Sequence, residues 1–452
     1  MSKIMRISIV LLYLLSPLPA TWITYSVNPT AYQTAKGLLP MVLGSVAYTW
    51  LMAELVISAR PKFIEKYFGL NHFYRFHAIA AIVAITLSFV HKQLEDAIWT
   101  GFLHPVRQIG NYALILFIVL AGLSLFFMTG MIIRRLPFLT AFRHYLERKH
   151  IVDFNVSVWV HNANVIAIVL VFLHVFIISA FYQQNLWICG VYTLYFFIAF
   201  SYYIYHKFVK IRLAKISPYK LAEIKEESFN VHTLVFTRVN GRLPRYKAGQ
   251  FVFLRLLAKG ISDEEHPFSL TSDPNDRSAL SVTIKSIGDY TQRIANIPAN
   301  AQAILEGPFG ILGNSVHRTK SDLVLVAGGI GITPMLSILK DLRQTDSKRH
   351  VLLFWNISTR KDLIFKNLFA AISQQMPYFT FVPILSREAA YAGETGHLNR
   401  EKLIRHLRVH RYNVRRTHYI ICGPAKMMNS VVESLHLLNV DRKRIHFENF
   451  SL

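Results

Sequence analysis

Cysteine is nearly absent. The chain has two in 452 residues, Cys189 and Cys422, in different regions, and this excludes a disulfide framework. Acidic residues are also scarce: 26 Asp and Glu stand against 50 Lys and Arg, a formal net charge of +24. The excess does not gather into a compact basic stripe interleaved with aromatic residues, which argues against nucleic acid as a partner. Basic residues flanking membrane segments explain much of it. No internal repeat and no low-complexity tract occurs. Charge itself is missing over long stretches up to about Arg212, and beyond that point strand, turn and helix patterns alternate as in a soluble protein. A chain of this length exceeds one ordinary core.

Six segments read as bilayer spans: residues 5–25, 38–58, 76–92, 111–133, 157–180 and 187–206. The first follows Lys3 and Arg6 as a signal peptide would. Pro17 and Pro19, however, lead into more apolar sequence and further spans, so it is expected to be a retained first helix. Orientation follows from the loops. Arg60, Lys62, Lys66 and Arg75 lie between spans two and three, Arg134, Arg135, Arg143, Arg148 and Lys149 between four and five, and Lys207, Lys210, Arg212 and Lys215 after six. The opposite loops hold only Lys36, then Lys92 and Arg107 beside Glu95 and Asp96. The expected product is an integral protein of the cell (inner) membrane with both termini cytoplasmic. Residues 59–71 read as an interfacial amphipathic helix. The basic loop 134–150 is either a solvated, lipid-facing charge run or a docking surface for the soluble half.

Spans three and five each carry two histidines, His77 and His91, 14 apart, and His161 and His174, 13 apart. An ionisable residue inside an apolar span is costly and is a functional candidate. Any one of the four can be a buried, hydrogen-bonded histidine. Two pairs at near-matching separation point instead to metal ligands, since two imidazoles from facing helices can clamp one iron axially. Fourteen residues rise roughly 21 Å and return to within about 40° of the same helix face. Thirteen end about 140° away on a straight helix, so the second helix has to tilt, bulge or present its ligands to offset groups. Spans three and five run in the same direction, so His77 pairs with His161 near the cytoplasm and His91 with His174 near the outside.

From about Ile216 the runs GQFVFLRL (249–256) and ALSVTIKSI (279–287) predict a small antiparallel barrel up to about Ser315. DLVLVAGGIGITPMLSILKDL (322–342) reads as buried strand, Gly-rich turn and helix. VLLFWN, FTFVPILS and HYIICG are further buried strands of a parallel α/β sheet. Gly328-Gly329-Ile330-Gly331-Ile332-Thr333-Pro334 permits a tight turn at a helix N-terminus, which favours phosphate. It is not the GxGxxG fingerprint, because Pro334 stands where the last glycine would be. In His266-Pro267-Phe268-Ser269-Leu270-Thr271-Ser272 an aromatic flanked by hydroxyls can stack on a planar ring and bond its polar edge. Gly307-Pro308-Phe309-Gly310 and Cys422-Gly423-Pro424 are, individually, ordinary turns.

The order of these pieces is more specific than any one of them. A motif of the type (R/H)-P-(F/Y)-(S/T)-x-x-S, then G-P-(F/Y)-G, GGxGxxP and a late C-G-P resembles the ferredoxin–NADP reductase superfamily. With six spans and two histidine pairs, the whole chain resembles the NADPH oxidase / ferric reductase transmembrane family. The resemblance implies a multi-domain fold. A six-span di-heme transmembrane domain (1–212) would come first, then an antiparallel FAD-binding β-barrel (216–315) and an α/β NADPH-binding domain (320–452). It implies FAD, two heme b and NADPH as cofactors, with His77, His91, His161 and His174 on the iron. It places His266 and Phe268 against the flavin, Ser269 near its reactive nitrogen, and Thr271 and Ser272 in support. Lys285, Gly288 and Thr291 match the stretch near the FAD pyrophosphate. Gly329, Gly331, Thr333 and Pro334 would hold the nicotinamide dinucleotide, and Ser386-Arg387 its 2′-phosphate. Cys422 and Gly423 would lie near the hydride-transfer site. Phe450 resembles the C-terminal aromatic that covers the flavin, with Phe447 close enough to take that part.

The family's oxidases place polar residues around the outer heme's oxygen site; here the position one turn after His91 is Glu95, not a basic residue, which departs from that pattern. No EF-hand pattern and no long cytosolic extension is seen, so no obligatory regulatory subunit is expected. The function implied is an oxidase carrying electrons from NADPH through FAD and heme to external dioxygen, giving superoxide. A ferric-chelate reductase is the alternative, and a heme subunit serving a partner protein is a rival from another class.

Overall fold

The computed structural model describes residues 2–27, 34–98, 104–128, 137–148, 154–238 and 243–448. Backbone contacts divide the chain into two compact units. One comprises Met1–Tyr67 with His72–Lys210, the other Phe68–Asn71 with Ile211–Leu452.

The first unit is helical. Six stretches are long and apolar enough to cross a membrane: Lys3–Val27, Lys36–Ser58, Leu70–Ile98, Pro105–Phe127, Val156–Phe181 and Leu186–Ile216. The first is split into α1 (Ser2–Leu15) and α2 (Leu18–Val27) around Pro17, which has no N–H to give to a continuing helix. The second is α3 (Ala35–Ser58), capped by the Thr34 side chain. A short α4 (Lys62–Phe68) lies within the stretch expected to be interfacial. Then follow α5 (Leu70–Ile98), α6 (His104–Met128) and the amphipathic α7 (Pro137–Arg148) inside the basic loop. The fifth stretch is α8 (Phe154–Asn162) plus α9 (Asn164–Ile177), and the sixth begins with α10 (Leu186–Ile204), capped by Asn185. Arg134, Arg135 and Lys149 lie outside the described residues.

Apolar side chains of α3 and α10 form the centre of this unit, with Tyr48, Leu51, Met52, Ile188 and Phe196 buried. α9 packs along α6, and α10 along α3. Phe196 stacks on Phe172 at 4.0 Å between centroids. Between the two histidines of the fifth stretch the helix breaks at Ala163, whose ψ of −15° is near the 3₁₀ range. Ile166 N–H bonds back only three residues, to Ala163 O. A 3₁₀ turn advances about 120° per residue rather than 100°, so overwinding here turns His174 toward the face of His161.

The second unit is built from two sheets. Strands β1 (Tyr219–Ser228), β2 (Val231–Arg238), β3 (Phe251–Leu257), β4 (His266–Ser269), β5 (Leu280–Lys285) and β6 (Gln302–Phe309) pair antiparallel in the order β4-β3-β6-β1-β2-β5. A Leu270–Val282 bridge joins the two edges and closes the barrel. Its core, including Leu234, Phe236, Leu254 and Val282, is fully buried. A short α12 (Asp289–Gln292) follows β5; α11 (Lys210–Ile216) precedes β1.

The other sheet, β10-β9-β8-β7-β11-β12, is wholly parallel. Its strands are β7 (Leu323–Gly328), β8 (Val351–Ile357), β9 (Phe379–Leu385), β10 (Glu394–Thr395), β11 (His418–Cys422) and β12 (Ile445–Phe447). Helices α13 (Thr333–Thr345), α14 (Lys366–Gln375), α15 (Arg400–Val409) and α16 (Ala425–Leu437) connect them. β7 is buried along its whole length, as a central parallel strand covered on both faces must be. The strand order reverses between β7 and β11, and ligands of open α/β sheets bind at the carboxyl ends of such a switch point.

His418 and His446, on β11 and β12, stack with centroids 5.4 Å apart and planes at 4°, Nδ1 of the first 3.1 Å from Nε2 of the second. Burial, the neighbouring His418 and Arg318 push His446 down to about 4. An unfolded histidine titrates near 6.5. The folded state therefore binds fewer protons between these values, and its stability is lost as pH falls from about 6.5 through 4. The loss amounts to on the order of 3 kcal/mol. His446→Gln is expected to flatten the melting temperature against pH over that interval, and an unchanged slope would assign the acid limb elsewhere.

Candidate functional site

In the first unit each candidate ligand histidine has its Nδ1 held by another helix. His77 Nδ1 is 2.5 Å from Glu54 Oε2 on α3, and His161 Nδ1 is 3.1 Å from Ser124 Oγ on α6. His91 Nδ1 meets Pro40 O at 2.8 Å, and His174 Nδ1 meets Val106 O at 2.9 Å. A histidine that ligates metal through Nε2 gives its other N–H to such a carboxylate, hydroxyl or carbonyl, which fixes both tautomer and ring direction. All four side chains meet that condition.

The pairing also fits. With metal–nitrogen bonds of about 2.0–2.1 Å and a ring radius of about 1.1–1.2 Å, two axial imidazoles place their centroids roughly 6.3 Å apart. The His77 and His161 centroids are 6.0 Å apart, with ring planes at 77°. His91 and His174 lie close enough to interact electrostatically. Glycines let two helix backbones close on the second pair. A Cβ on Gly44 would come within 2.8 Å of His91 Cε1, and one on Gly110 within 3.0 Å of His174 Cε1. Among the described residues no three His, Cys, Asp or Glu side chains gather to hold a bare ion. Paired imidazoles are instead the donor set of an iron porphyrin, whose ring fills the equatorial positions. The His77–His161 pair fits the spacing of a heme, and the His91–His174 pair offers the same donor set.

In the second unit, the turns after β7 and β11 meet at the switch point. A Cβ on Gly331 would lie 2.3 Å from Cys422 O, and one on Gly423 2.9 Å from Gly328 Cα. Gly329 has φ +53° and open space around it. Its carbonyl accepts from Trp355 Nε1 at 2.8 Å, a buried anchor on β8. Thr333 opens α13 by donating its hydroxyl to Ile330 O, and Pro334 takes the first turn, where its missing N–H costs nothing. This glycine turn at a helix N-terminus fits a dinucleotide phosphate.

Cys422, at the end of β11, is buried, and burial, with Glu448 beside it, pushes its thiol up, so it stays protonated at neutral pH. Glu448 Oε1 accepts from the backbone of Ile311 and Leu312 at 2.7 and 3.2 Å, tying the chain's last described residues to the loop after β6. Phe447 ends β12 half exposed, paired with Ile421; Phe450 lies outside the described residues.

On the barrel, His266 and Phe268 are half-buried on β4, and the His266 ring meets Tyr290 at 4.0 Å between centroids, tilted by 39°. Ser269 is buried at the strand's end. The next two hydroxyls are used inside the fold. Thr271 joins Ser281 and Thr283 in a buried hydroxyl chain, and Ser272 Oγ accepts from Tyr246 and from Ser281 N. Their carbonyls accept from Lys340 Nζ and Ser337 Oγ on α13, so this segment joins barrel to sheet. Lys285 Nζ is 3.6 Å from Asp362 Oδ1. Gly288 N–H and Ile287 N–H both donate to Thr291 Oγ1, which closes the turn before α12. His266 and Phe268 on β4, with Lys285 at the end of β5, offer rings and a cation that suit a flavin and its phosphates.

Ser386 and Arg387 follow β9. Ser386 Oγ bonds Ile357 O, while Arg387 is exposed and makes no ion pair among the described residues. Its neighbour Arg360 is occupied by Glu388 at 3.0 Å. A cleft of about 630 Å³ between β9, β10 and α15 is lined by Tyr391, Glu394 and Lys402.

Residues 213–332 match a family described as an FAD-binding domain, and residues 325–433 one described as an oxidoreductase NAD-binding domain. The chain is 28% identical over 228 residues to putative respiratory burst oxidase homolog protein G of Arabidopsis thaliana, covering 45% of this chain and 25% of that one. With human dual oxidase 2 it shares 42% over 106 residues, 22% of this chain and 7% of that one. The chain carries the FAD- and NAD-binding pair of an oxidoreductase and is homologous to the NADPH oxidases. The chain is also 24% identical over 237 residues to the glycine betaine monooxygenase reductase subunit of Pseudomonas aeruginosa, over 51% of this chain and 63% of that one. It spans a quarter or less of the length of the first relatives it matches.

The glycine turn after β7 and the turn after β11 stand where the sequence motifs place them. Glu54, Ser124, Gly44, Gly110, Trp355 and Glu448 were not singled out. For Glu54 a signal existed: it is a carboxylate inside a membrane-length apolar helix.

Proposed function

We propose that the protein is a transmembrane NADPH oxidase, moving electrons from cytoplasmic NADPH through FAD and two b-type hemes to dioxygen outside, giving superoxide. The observation that carries this reading is the coincidence of four histidines with fixed Nδ1 atoms and a flavin–nicotinamide pair on the same chain. Bound nicotinamide and flavin supply hydride chemistry, and the hemes one-electron transfer. The chain's own residues do the rest. Gly328, Gly329 and Gly331 admit the dinucleotide backbone, and the start of α13 faces its phosphate. Cys422 and Gly423 bound the hydride-transfer position from beneath. His266, Phe268 and Ser269 hold the flavin ring, with Thr271 and Ser272 fixing the segment, while Lys285, Gly288 and Thr291 serve its phosphates. His77 with His161, and His91 with His174, hold the two irons at opposite ends of α5. The basic loops support a cytoplasmic side for both termini.

Glu95 favours a second reading, ferric-chelate reduction, because an acidic side chain one turn from His91 attracts a cation. Purified protein given NADPH and FAD separates the two: superoxide-dismutase-sensitive cytochrome c reduction supports the oxidase, and ferric-chelate reduction without it the reductase. Turnover that required a partner reductase would overturn both.

Arg387 is the proposed reader of the 2′-phosphate. Arg387→Ala is expected to raise KM for NADPH ten- to a hundredfold, the equivalent of about 1.5–3 kcal/mol for a lost charge-assisted bond. KM for NADH should stay nearly unchanged. Equal effects on both nucleotides would show that the guanidinium reads something they share.

A further inference from the structure

The four histidines do not have equivalent partners. His91 and His174 give their N–H to backbone carbonyls, and His161 faces a serine hydroxyl. His77 alone meets a carboxylate, at 2.5 Å. That carboxylate, Glu54, is buried near the C-terminal end of a membrane-length helix, and an ionisable group inside such a segment is costly to keep. Its second oxygen accepts from Tyr13 O–H at 3.1 Å. Tyr13 is itself fixed, stacked on Trp50 with centroids at 5.3 Å and met edge-on by Phe76 at 4.9 Å. With metal on Nε2 the His77 proton sits on Nδ1. Both Glu54 oxygens then face donors, a set of contacts that the ionised carboxylate satisfies in full.

A carboxylate on the imidazole N–H makes the ligating nitrogen more basic and brings negative charge toward the metal. Both effects stabilise ferric over ferrous iron, and hydrogen bonding to ligands is among the levers that set such potentials. Neutral carbonyls, as at Pro40 and Val106, bring no net charge. Resting on the two-heme reading above, we propose that Glu54, acting through His77, holds the His77–His161 centre at a lower midpoint potential than the His91–His174 centre. Electron transfer between them is thereby downhill in one direction. The step moves one electron, oxidising the first centre from ferrous to ferric and reducing the second from ferric to ferrous. No bond forms or breaks, and the proton stays on His77 Nδ1. Glu54 is a positioning and tuning residue, and direction is built into α3 rather than left to the acceptor.

The test uses the full chain purified in detergent. Pyridine hemochrome analysis first counts hemes, and a wild-type protein without two would overturn the underlying reading and this inference together. Spectroelectrochemical titration then resolves two midpoints, and the one missing from His161→Ala belongs to the His77 centre. In wild type that midpoint should be the lower. Glu54→Gln should raise it and leave the other in place with both hemes bound. Tyr13→Phe removes a donor from the carboxylate, leaves more charge facing His77, and should lower the same midpoint. A purely structural Glu54 would move neither midpoint. Unmoved midpoints, or a wild-type His77 centre at the higher potential, would overturn the proposal. Should Glu54→Gln lose heme, the sign of the Tyr13→Phe shift decides: a fall sustains the proposal, and a rise or no change overturns it.

Discussion

His161→Ala is expected to remove one of two hemes and to stop all reduction of an external acceptor, while leaving the soluble half able to oxidise NADPH with a soluble dye. The imidazole of His161 is fixed by Ser124 at 3.1 Å and stands 6.0 Å, centroid to centroid, from His77. Alanine removes the ligand without disturbing the flavin and nicotinamide motifs, all of which lie in the second unit. One imidazole is then left where the proposed centre needs two. Electron transfer in series has no detour, so the loss should be complete rather than proportional. The measurements are heme per chain, expected to fall from two to one, and the ratio of transmembrane to dye-coupled activity. Two hemes retained in His161→Ala would remove this residue from the ligand set. Ser124→Ala is the milder companion. It frees the ring to rotate at a cost of about 0.5–1.5 kcal/mol, so heme should stay bound but more weakly.

The six spans and their order were readable because charge is nearly excluded from them, and this is a property of composition alone. The glycine turn was readable because few residue types tolerate its backbone; the structure adds why Gly331 belongs to that turn, namely the close approach of Cys422 O. The pairing of His77 with His161 followed from span direction. The geometric difficulty of a 13-residue spacing did not resolve in sequence, because the break at Ala163 carries no proline or glycine to announce it. The supporting residues were hidden for a different reason. Glu54, Ser124, Gly44 and Gly110 act from α3 and α6 upon histidines 23 to 64 positions away, and such pairings exist only once the helices have packed. Thr271 and Ser272 show the converse. Their motif reads as flavin contact, yet the hydroxyls are engaged inside the barrel and the carbonyls on α13. A motif can therefore mark the residues that fix a binding segment as well as those that touch its ligand.

Gly331→Ala is expected to abolish productive nucleotide binding, whereas Gly329→Ala, two residues away in the same turn, should be nearly silent. The difference lies in what a methyl group would meet. At Gly331 it would lie 2.3 Å from Cys422 O, 2.6 Å from Cys422 C and 2.9 Å from Gly423 Cα. All three are backbone atoms at the end of β11, which is paired with β7 along its length. They cannot yield without separating the two turns that form the switch point. Displacing reacting groups by about 1 Å can cost on the order of a hundredfold in rate, and that is the least expected for hydride transfer in Gly331→Ala. The barrel is not part of the collision, so FAD should remain bound and the flavin spectrum unchanged. At Gly329 nothing lies within 4 Å of the added methyl. Only its φ of +53° resists, a strain of about 1–2 kcal/mol for a residue with a Cβ. Gly329→Ala should lower the melting temperature slightly and change nucleotide affinity only a few-fold. Stopped-flow flavin reduction by NADPH, with nucleotide binding measured on the same samples, ranks the two variants. Gly329→Ala proving the more damaging would mean that the open side of the turn, rather than its contact with Cys422, governs nucleotide binding.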